Sequence, residues 1–460
     1  MPKLFYSLFS VVLLAICLNA CVVGPRYSKP TVSLPSSMQD GPVDTLPLVK
    51  WFDLFQDTAL QSIIRTTLEN NRDFLTAGAR VEEAQYNLEI IRANPLPSVG
   101  YQVAGGGGTA GKEALKVAGG VNSGLSRVFG VLNWEIDIWG RLKRSTEAAR
   151  AQLLAQQSVC NALQVSLIAE AAAAYFFLCD LDNRLKIAQR TVESRKALML
   201  IIKERYAKGY VAELDVLQAE QQEAFAASLI PNLKRQIIQV ENALNILMGR
   251  MPQSVNRGVG LYAQQLPLSI PAGLPSQLME RRPDIIAAEQ SLRAQFERIG
   301  IAQASMFPAL SLTGVLGFAS PQLSSLLSGG TVVNGFAGLT GPLFQFGQNR
   351  NRVEVEKRRT DQVRLQYEQT LIRAFAEVNT ALNDNSNLQE EYARRKQQAV
   401  AAEKAYGLSK ARYEYGYTSF LEVLVQENSL FDAELQASFL YQQRLSALVR
   451  LYKSLGGGWQ

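Results

Sequence analysis

The chain has 460 residues, of which 47% are hydrophobic and 19% charged, with a net charge of +6; this is an ordinary balance for a folded protein. It contains no histidine, so neither a Ser-His-Asp triad nor a histidine-based zinc site can be built within it. Its positive charges are spread along the chain with no basic block, which gives no reason to propose nucleic-acid binding.

Met1–Ala20 reads as a secretory leader. Lys3 supplies a positive start, and Leu8–Leu18 is an uncharged apolar stretch too short for a comfortable transmembrane helix. Its end, Leu18-Asn19-Ala20-Cys21, resembles the bacterial lipoprotein box. That resemblance implies that Cys21 becomes the acylated first residue, anchored to lipid through its acyl chains. Val22 after it implies sorting to the outer membrane, and ordinary cleavage near Ala20 is the alternative. Cys160 and Cys179 lie in one helical run, roughly 28 Å apart at helical rise, beyond disulfide reach. They read as small helix-face hydrophobes.

Pro25, Pro30, Pro35, Pro42 and Pro47 mark an extended tether before the first element. Ala59 to about Ala93 reads as one helix, with apolar residues at Leu60, Ile63, Ile64, Leu68, Leu75, Val81, Leu88 and Ile91, stopped by Asn94-Pro95-Leu96-Pro97. The period then changes to two. Val99, Tyr101 and Val103 alternate with small or polar residues; after a glycine-rich link, Leu132, Trp134, Ile136 and Ile138 alternate with Asn133, Glu135 and Asp137. Each stretch predicts a strand with one greasy and one wet face. Trp134 and Trp139 suit a membrane boundary, and Glu135 and Asp137 lack the acid/base partner that catalysis would need.

Arg141 to Lys208 contains neither glycine nor proline and predicts a helix of about 100 Å. Its seam follows a heptad rhythm from Cys160 to Tyr206, interrupted by Arg195. A turn at Gly209 leads into a return run over 212–248, which carries Pro231 and ends at Met248-Gly249. After a linker rich in proline and glycine, the second half replays the first. Arg282-Pro283-Asp284 begins a helix to about Ala304; Leu310–Phe318 and residues near 332–346 predict two more strands. Residues 348–406 again lack glycine and proline, a second turn falls at Gly416, and a return helix spans 418–455.

This replay is a duplication. RYAKGYVAELDVL at 205–217 recurs as RYEYGYTSFLEVL at 412–424, an offset of 207 that holds without a gap from Arg205 to Gly249. Asn71-Arg72-Asp73 meets Arg282-Pro283-Asp284 at an offset of 211. The expected organisation is a leader (1–20), a lipid-anchored tether (21–57), a first repeat (58–249), a linker (250–283), a second repeat (284–456) and a tail (457–460). The fold class is mainly α with a transmembrane β part: duplicated long helical hairpins forming an α-barrel. Four strands have two open edges, which lipid does not tolerate. Closure requires oligomerisation, and a trimer would supply twelve strands with room for a channel.

The lipoprotein box, the Val23-Gly24-Pro25-Arg26-Tyr27-Ser28-Lys29-Pro30 opening, Arg281-Arg282-Pro283-Asp284-Ile285 and the doubled turn motif together resemble the outer membrane factor family. These are the TolC-like channels, within which the chain is most similar to the NodT or OprM type of efflux lipoprotein. The resemblance implies a homotrimeric outer-membrane exit duct, with its helical part in the periplasm. A periplasmic adaptor (membrane fusion protein) and an inner-membrane transporter would be its partners, and no cofactor is involved. Arg205, Tyr206, Gly209, Tyr210, Arg412, Tyr413, Gly416 and Tyr417 would then form the periplasmic tips that meet the adaptor. The gate positions match Leu421 and, one helical turn on, Val425. Family members often carry an acid at the second position, and Glu422 and Glu427 are the nearby carboxylates. The plainer reading of the turns is two hairpin bends that bury Leu214, Leu217, Leu421 and Leu424, with the tyrosines as packing. A type I protein-secretion exit and a lipid-anchored coiled-coil stalk are the other readings. An enzyme would need a phosphate loop or metal-ligand spacing that the chain does not offer.

Overall fold

The computed structural model describes residues 23–30, 56–105, 126–264, 279–320, 323–328 and 330–457. The leader, Cys21 and the Gly119-Gly120 link lie outside them. In chain order the elements are α1 (Thr58–Asn70), α2 (Arg72–Ala93), β1 (Ser98–Ala104), β2 (Ser126–Ile136), α3 (Arg141–Ala207) and α4 (Glu213–Leu247). Then follow α5 (Pro283–Ala304), β3 (Ala309–Ser320), β4 (Thr331–Thr340), α6 (Gln348–Glu414) and α7 (Phe420–Ser454). The chain is mostly helical. α3 and α6 have 67 residues each, and α6 continues through Gly407 because no positive φ is needed there.

Three boundaries differ from the sequence reading. The first helix breaks at Asn71, which has extended backbone (ψ 125°). Its side chain accepts from the Phe74 N–H at 3.0 Å and donates to the Leu247 carbonyl at 2.9 Å, so it caps α2 while satisfying the end of α4. Ile138 is not in β2. Gly140 (φ 78°) turns the chain there, and Asp137 accepts from the Lys143 N–H at 2.7 Å as a cap on α3. Glu135 pairs with Arg141 at 2.6 Å. Both carboxylates therefore have structural partners. β4 stops at Thr340 because Gly341-Pro342 follows and proline brings no N–H to the ladder.

The four strands form one antiparallel sheet in the order β1-β2-β3-β4. β1 and β3 start directly after Pro97 and Pro308. The register places Val99 opposite Leu132, Trp134 opposite Leu312 and Leu310 opposite Leu339. One face thus collects apolar side chains. The other is mixed: Gln102, Asn133, Thr313 and Thr340 share it with Phe129, Val131, Val315 and Phe336. Among the described residues, the outer edges of β1 and β4 meet no further strand.

The chain divides into two compact units, and each draws on both sequence repeats. The first comprises Met1–Thr31, Arg80–Gln156 and Ala287–Glu368. At its centre, the buried Arg144 donates to the carbonyls of Val23 (2.9 Å) and Pro25 (2.9 Å) and pairs with Glu297 at 2.7 Å. Gly300 leaves room for it, since a Cβ there would come within 2.2 Å of Arg144. The Val23 N–H donates to the Trp139 carbonyl at 3.1 Å, the Tyr27 ring meets Phe296 edge-on at 5.6 Å, and Lys29 pairs with Glu289 at 2.6 Å. Residues 23–30 are thereby pinned against α5.

The second unit comprises Val32–Ala79, Gln157–Ile286 and Gln369–Gln460. Its main core gathers Leu60, Ile64, Tyr175, Phe176, Leu244 and Leu445. α3 is long and apolar enough to cross a membrane by length and composition, and half of its most apolar stretch is buried. Both return helices close with a Schellman cap. Gly249 and Gly456 have φ of 65° and 78°; their N–H groups donate to Ile246 and Lys453, and the following N–H groups donate to Asn245 and Tyr452. Gly249 abuts Asn70, and Gly456 abuts Arg281. In each repeat the return helix therefore ends where the helix leading to the strands begins. Arg282 serves the second junction, donating to the Ser454 carbonyl at 3.0 Å and pairing with Asp284 and Glu377 at 2.7 Å each.

Asp57, just before α1, is a separate polar hub of this unit. One carboxylate oxygen caps α1 by accepting from the Ala59 N–H at 2.8 Å. The other accepts from the Tyr175 hydroxyl (2.7 Å), the Gln264 amide (2.7 Å) and the Val259 N–H (3.3 Å). Burial works to raise this carboxyl, but the hydrogen bonds outweigh it and hold its pKa below the ordinary value. A carboxyl depressed by folding stabilises the native state above its unfolded pKa, and that contribution is lost as pH falls through the folded value. Asp57→Ala is expected to cost about 2 kcal/mol or more through the lost cap and orphaned partners. It should also flatten the acid limb of the stability profile below about pH 4. Denaturant titrations of the detergent-solubilised protein across pH test both effects, and an unchanged midpoint would remove Asp57 from this role.

Candidate functional site

The two turn motifs form the same structure twice. Gly209 and Gly416 have φ of 76° and 80°. Their N–H groups donate to Tyr206 (2.9 Å) and Tyr413 (3.0 Å), while the next N–H groups donate to Arg205 (2.9 Å) and Arg412 (2.8 Å). This Schellman pattern ends α3 and α6 and needs the left-handed conformation that glycine adopts without a Cβ penalty. A Cβ at either glycine would meet nothing within 4 Å, so the requirement is one of backbone conformation.

Around the turns the two copies diverge. Leu198, Ile202, Ala219, Tyr413, Phe420, Val423 and Leu424 form a small core. The Arg205 guanidinium lies over the Tyr413 ring, 4.6 Å from its centroid, which ties the first hairpin to the second. Tyr413 and Leu424 are buried, whereas their first-copy counterparts Tyr206 and Leu217 are exposed. Arg412, Tyr210 and Tyr417 are also exposed. The expectation of buried leucines is corrected at three positions: Leu214, Leu217 and Leu421 all face out, and only Leu424 is interior. The reading of the tyrosines as packing fits Tyr413 alone, because Tyr210 and Tyr417 sit beyond the helix ends, where no core reaches them.

Leu421 and Val425 are 57% and 54% exposed, four residues apart on one face of α7. The two nearby carboxylates do not share it. Glu422 accepts a hydrogen bond from the Thr418 hydroxyl in the first turn of α7. Glu427 points inward, with its side chain 4% exposed and 3.3 Å from the equally buried Arg195. Arg195 also donates to the Gln222 carbonyl (2.5 Å) and to Asn428 (2.7 Å), and lies over the Phe431 ring at 5.4 Å. Burial raises the Glu427 pKa and lowers that of Arg195, with each charge opposing the shift of the other. The arginine that breaks the heptad seam of α3 is thus the partner of an acid 232 positions later. The broken seam was its only trace in the sequence, and nothing there named the partner. Among the described residues, no cluster of three or more His, Cys, Asp or Glu side chains could hold a metal ion.

An edge-open amphipathic sheet joined to very long duplicated helical hairpins defines a class of membrane channel rather than a soluble fold. The chain belongs to the outer membrane efflux protein family, which it matches over residues 63–250 and 274–457. It is 33% identical to outer membrane protein OprJ of Pseudomonas aeruginosa, over 98% of this chain and 95% of that protein. It is 31% identical to the toluene efflux pump outer membrane protein TtgC of Pseudomonas putida, over 98% and 96% respectively. A crystal structure of a membrane protein from Pseudomonas aeruginosa superposes with a TM-score of 0.89 at 32% identity, covering 95% of this chain and 98% of that one.

The buried pair gives a test within the protein alone. Arg195→Met is expected to destabilise by about 3–5 kcal/mol, because Glu427 is left as an uncompensated buried charge. The double variant Arg195→Met, Glu427→Met should recover most of that loss. A double variant no better than the single one would show that packing of the arginine, not its charge, matters here.

Proposed function

We propose that this chain is the outer-membrane exit duct of a three-part efflux machine for small molecules. Three copies close a twelve-stranded barrel continuous with a barrel of helices. Cys21 carries the lipid that holds the mature chain to the outer membrane, and the pinned segment 23–30 sets where that anchor leaves the protein. The duct is passive, and the energy comes from an inner-membrane transporter acting through a periplasmic adaptor. The observation that carries this reading is the sheet: four strands, one mostly apolar face, one face that mixes polar with apolar residues, and two edges without a partner strand among the described residues. Bacterial barrels need an even number of strands, about eight or more, and twelve leave room for a lumen.

The efflux reading is favoured over protein secretion by the relatives, one of which is by name a pump component for toluene. At the far end of the helices, the two glycine turns are the surface that the adaptor engages. The gate is the apolar pair Leu421 and Val425. With Val425 in place of an acid, three copies would set a hydrophobic ring at the constriction, closed by dewetting rather than by charge.

Two outcomes are expected. Leu421→Ala should raise single-channel conductance in planar bilayers severalfold while the trimer remains intact. Unchanged conductance in a confirmed trimer would place the constriction elsewhere. Gly209→Val and Gly416→Val force a β-branched residue into left-handed backbone at about 1–2 kcal/mol each, without a steric clash elsewhere. They should weaken adaptor binding in pull-down from membranes at unchanged trimer yield. Wild-type adaptor affinity in both would sink the tip assignment.

A further inference from the structure

A cleft of about 740 Å³ lies between α4 and α7 and is reached from α3 by Arg184. That is an ordinary size for a small-molecule site. Its two walls are built from positions that correspond in the two repeats. Gln221 and Asn428, Phe225 and Asp432, and Leu229 and Gln436 are counterparts at the offset of 207, with one member of each pair on either wall. Spacing of four or so residues stacks them along one face of each helix. Phe431 lies in the cleft as a buried ring, and Phe439 lies at the end farther from the glycine turns, 39% exposed.

On α7 the cleft belongs to the stripe that carries the gate positions. Leu421, Val425, Asp432, Gln436 and Phe439 follow one another at steps of four, seven, four and three, and all are exposed. At about 100° per residue these steps keep them within about 60° of one another around the helix. Asp432 stands about 10 Å beyond Val425 along the axis. The charges in the cleft are unequal. Arg184 reaches in from α3, but the buried Asp180 lies 3.7 Å from its guanidinium and supplies a carboxylate. Asp432 has no ion pair or hydrogen bond among the described residues. The next acid of α7, Glu434, faces away and pairs with Arg190. The cleft thus offers one uncompensated negative charge, the exposed rings of Phe225 and Phe439, and the carboxamides of Gln221, Gln222, Asn428 and Gln436.

We propose that this cleft binds aromatic cations, one in each copy of the duct, about two helical turns beyond the gate. The inference rests on the reading of the chain as a duct gated at Leu421 and Val425, and deepens it by naming a class of cargo and the residues that hold it. Asp432 balances the charge of the cation. Phe225 and Phe439 present the negative faces of their rings to it, and the apolar body of the ligand lies on Phe431 and Leu435. The carboxamides accept N–H donors from ligands of different shapes. A neutral or anionic compound of the same size gains only the apolar part. Helix packing by itself would favour like residues at counterpart positions. Here one position is a ring in the first repeat and an acid in the second, which together meet the two needs of an aromatic cation. Exposed ion pairs and cation–π contacts are individually weak, so the site holds cargo loosely and lets it move on.

Ethidium, an aromatic cation, is the probe. The full chain in nanodiscs of phosphatidylcholine is titrated by fluorescence anisotropy, and the same dye is added to single channels in planar bilayers of that lipid. The protein should bind ethidium saturably and lose single-channel current over the same concentration range. Asp432→Asn should raise the dissociation constant about fivefold, and Phe225→Leu and Phe439→Leu about threefold each. Glu434→Gln, which changes an acid of the same helix that faces away, should leave it unchanged. Benzyltrimethylammonium should displace the dye, and benzenesulfonate at the same concentration should not. A conducting channel that does not bind ethidium, or binds it equally well in Asp432→Asn, overturns the inference and leaves the duct standing. Binding without any loss of current also overturns it, because the cleft then does not face the lumen. A protein that forms no channel overturns the duct reading and this inference with it.

Discussion

Backbone N–H and C=O groups cannot be left unpaired in hydrocarbon, and a four-stranded sheet leaves two rows of them. That constraint governs the rest of the molecule. Each unsatisfied group costs several kcal/mol in lipid, far more than side-chain contacts at an edge could offset. The chain therefore spans a membrane only as part of a closed ring. The apolar face of Val99, Trp134, Leu310 and Leu339 makes sense only when the opposite face looks into a lumen. The prolines before β1 and β3, and Gly341-Pro342 after β4, terminate strand pairing where the helices must take over.

The helical part solves a different problem with the same duplicated parts. Four Schellman caps, at Gly209, Gly249, Gly416 and Gly456, end the four helices that change direction, and they fall in pairs at an offset of 207. Each return helix is then abutted by the next segment, through Asn70 in one repeat and Arg281 in the other. The same local rule thereby places similar helix ends in similar settings. Polar side chains lock these places, Asn71 in the first repeat and Arg282 in the second, while Arg144 holds the backbone of residues 23–25.

The two copies diverge in what they bury. Glu220 and Glu427 are counterparts, yet Glu220 sits at the surface with Lys203 at 2.8 Å, while Glu427 is buried against Arg195. The counterpart of Arg195 is Ala402, so the second copy has no cation to offer Glu220 in return. Tyr206 and Tyr413 split in the same way between surface and core. The second copy thus buries what the first leaves at the surface, and only the second carries apolar residues at both Leu421 and Val425, where the first has Leu214 and Gln218.

The sequence by itself determined the duplication, the strand and helix periods, the glycine turns and the basic architecture. All of these are local patterns or direct self-comparisons. Strict alternation marked the sheet's two faces, and the absence of glycine and proline over Arg141–Lys208 marked a helix of 67 residues. The break at Asn71 was not legible, because its cause is a carbonyl 176 residues away. Neither was the hub at Asp57, which joins residues from three distant segments, nor the burial of Glu427, whose facing depends on Arg195. Periodicity gives the face of an element but not which neighbour covers it. That is why Leu214 and Leu421 read as core in the sequence yet lie at the surface in the fold. Tertiary structure alone decided which of the two duplicated turn motifs would bury its tyrosine and its last leucine, because that choice is made by pairs of side chains from different repeats and by no single stretch of the chain.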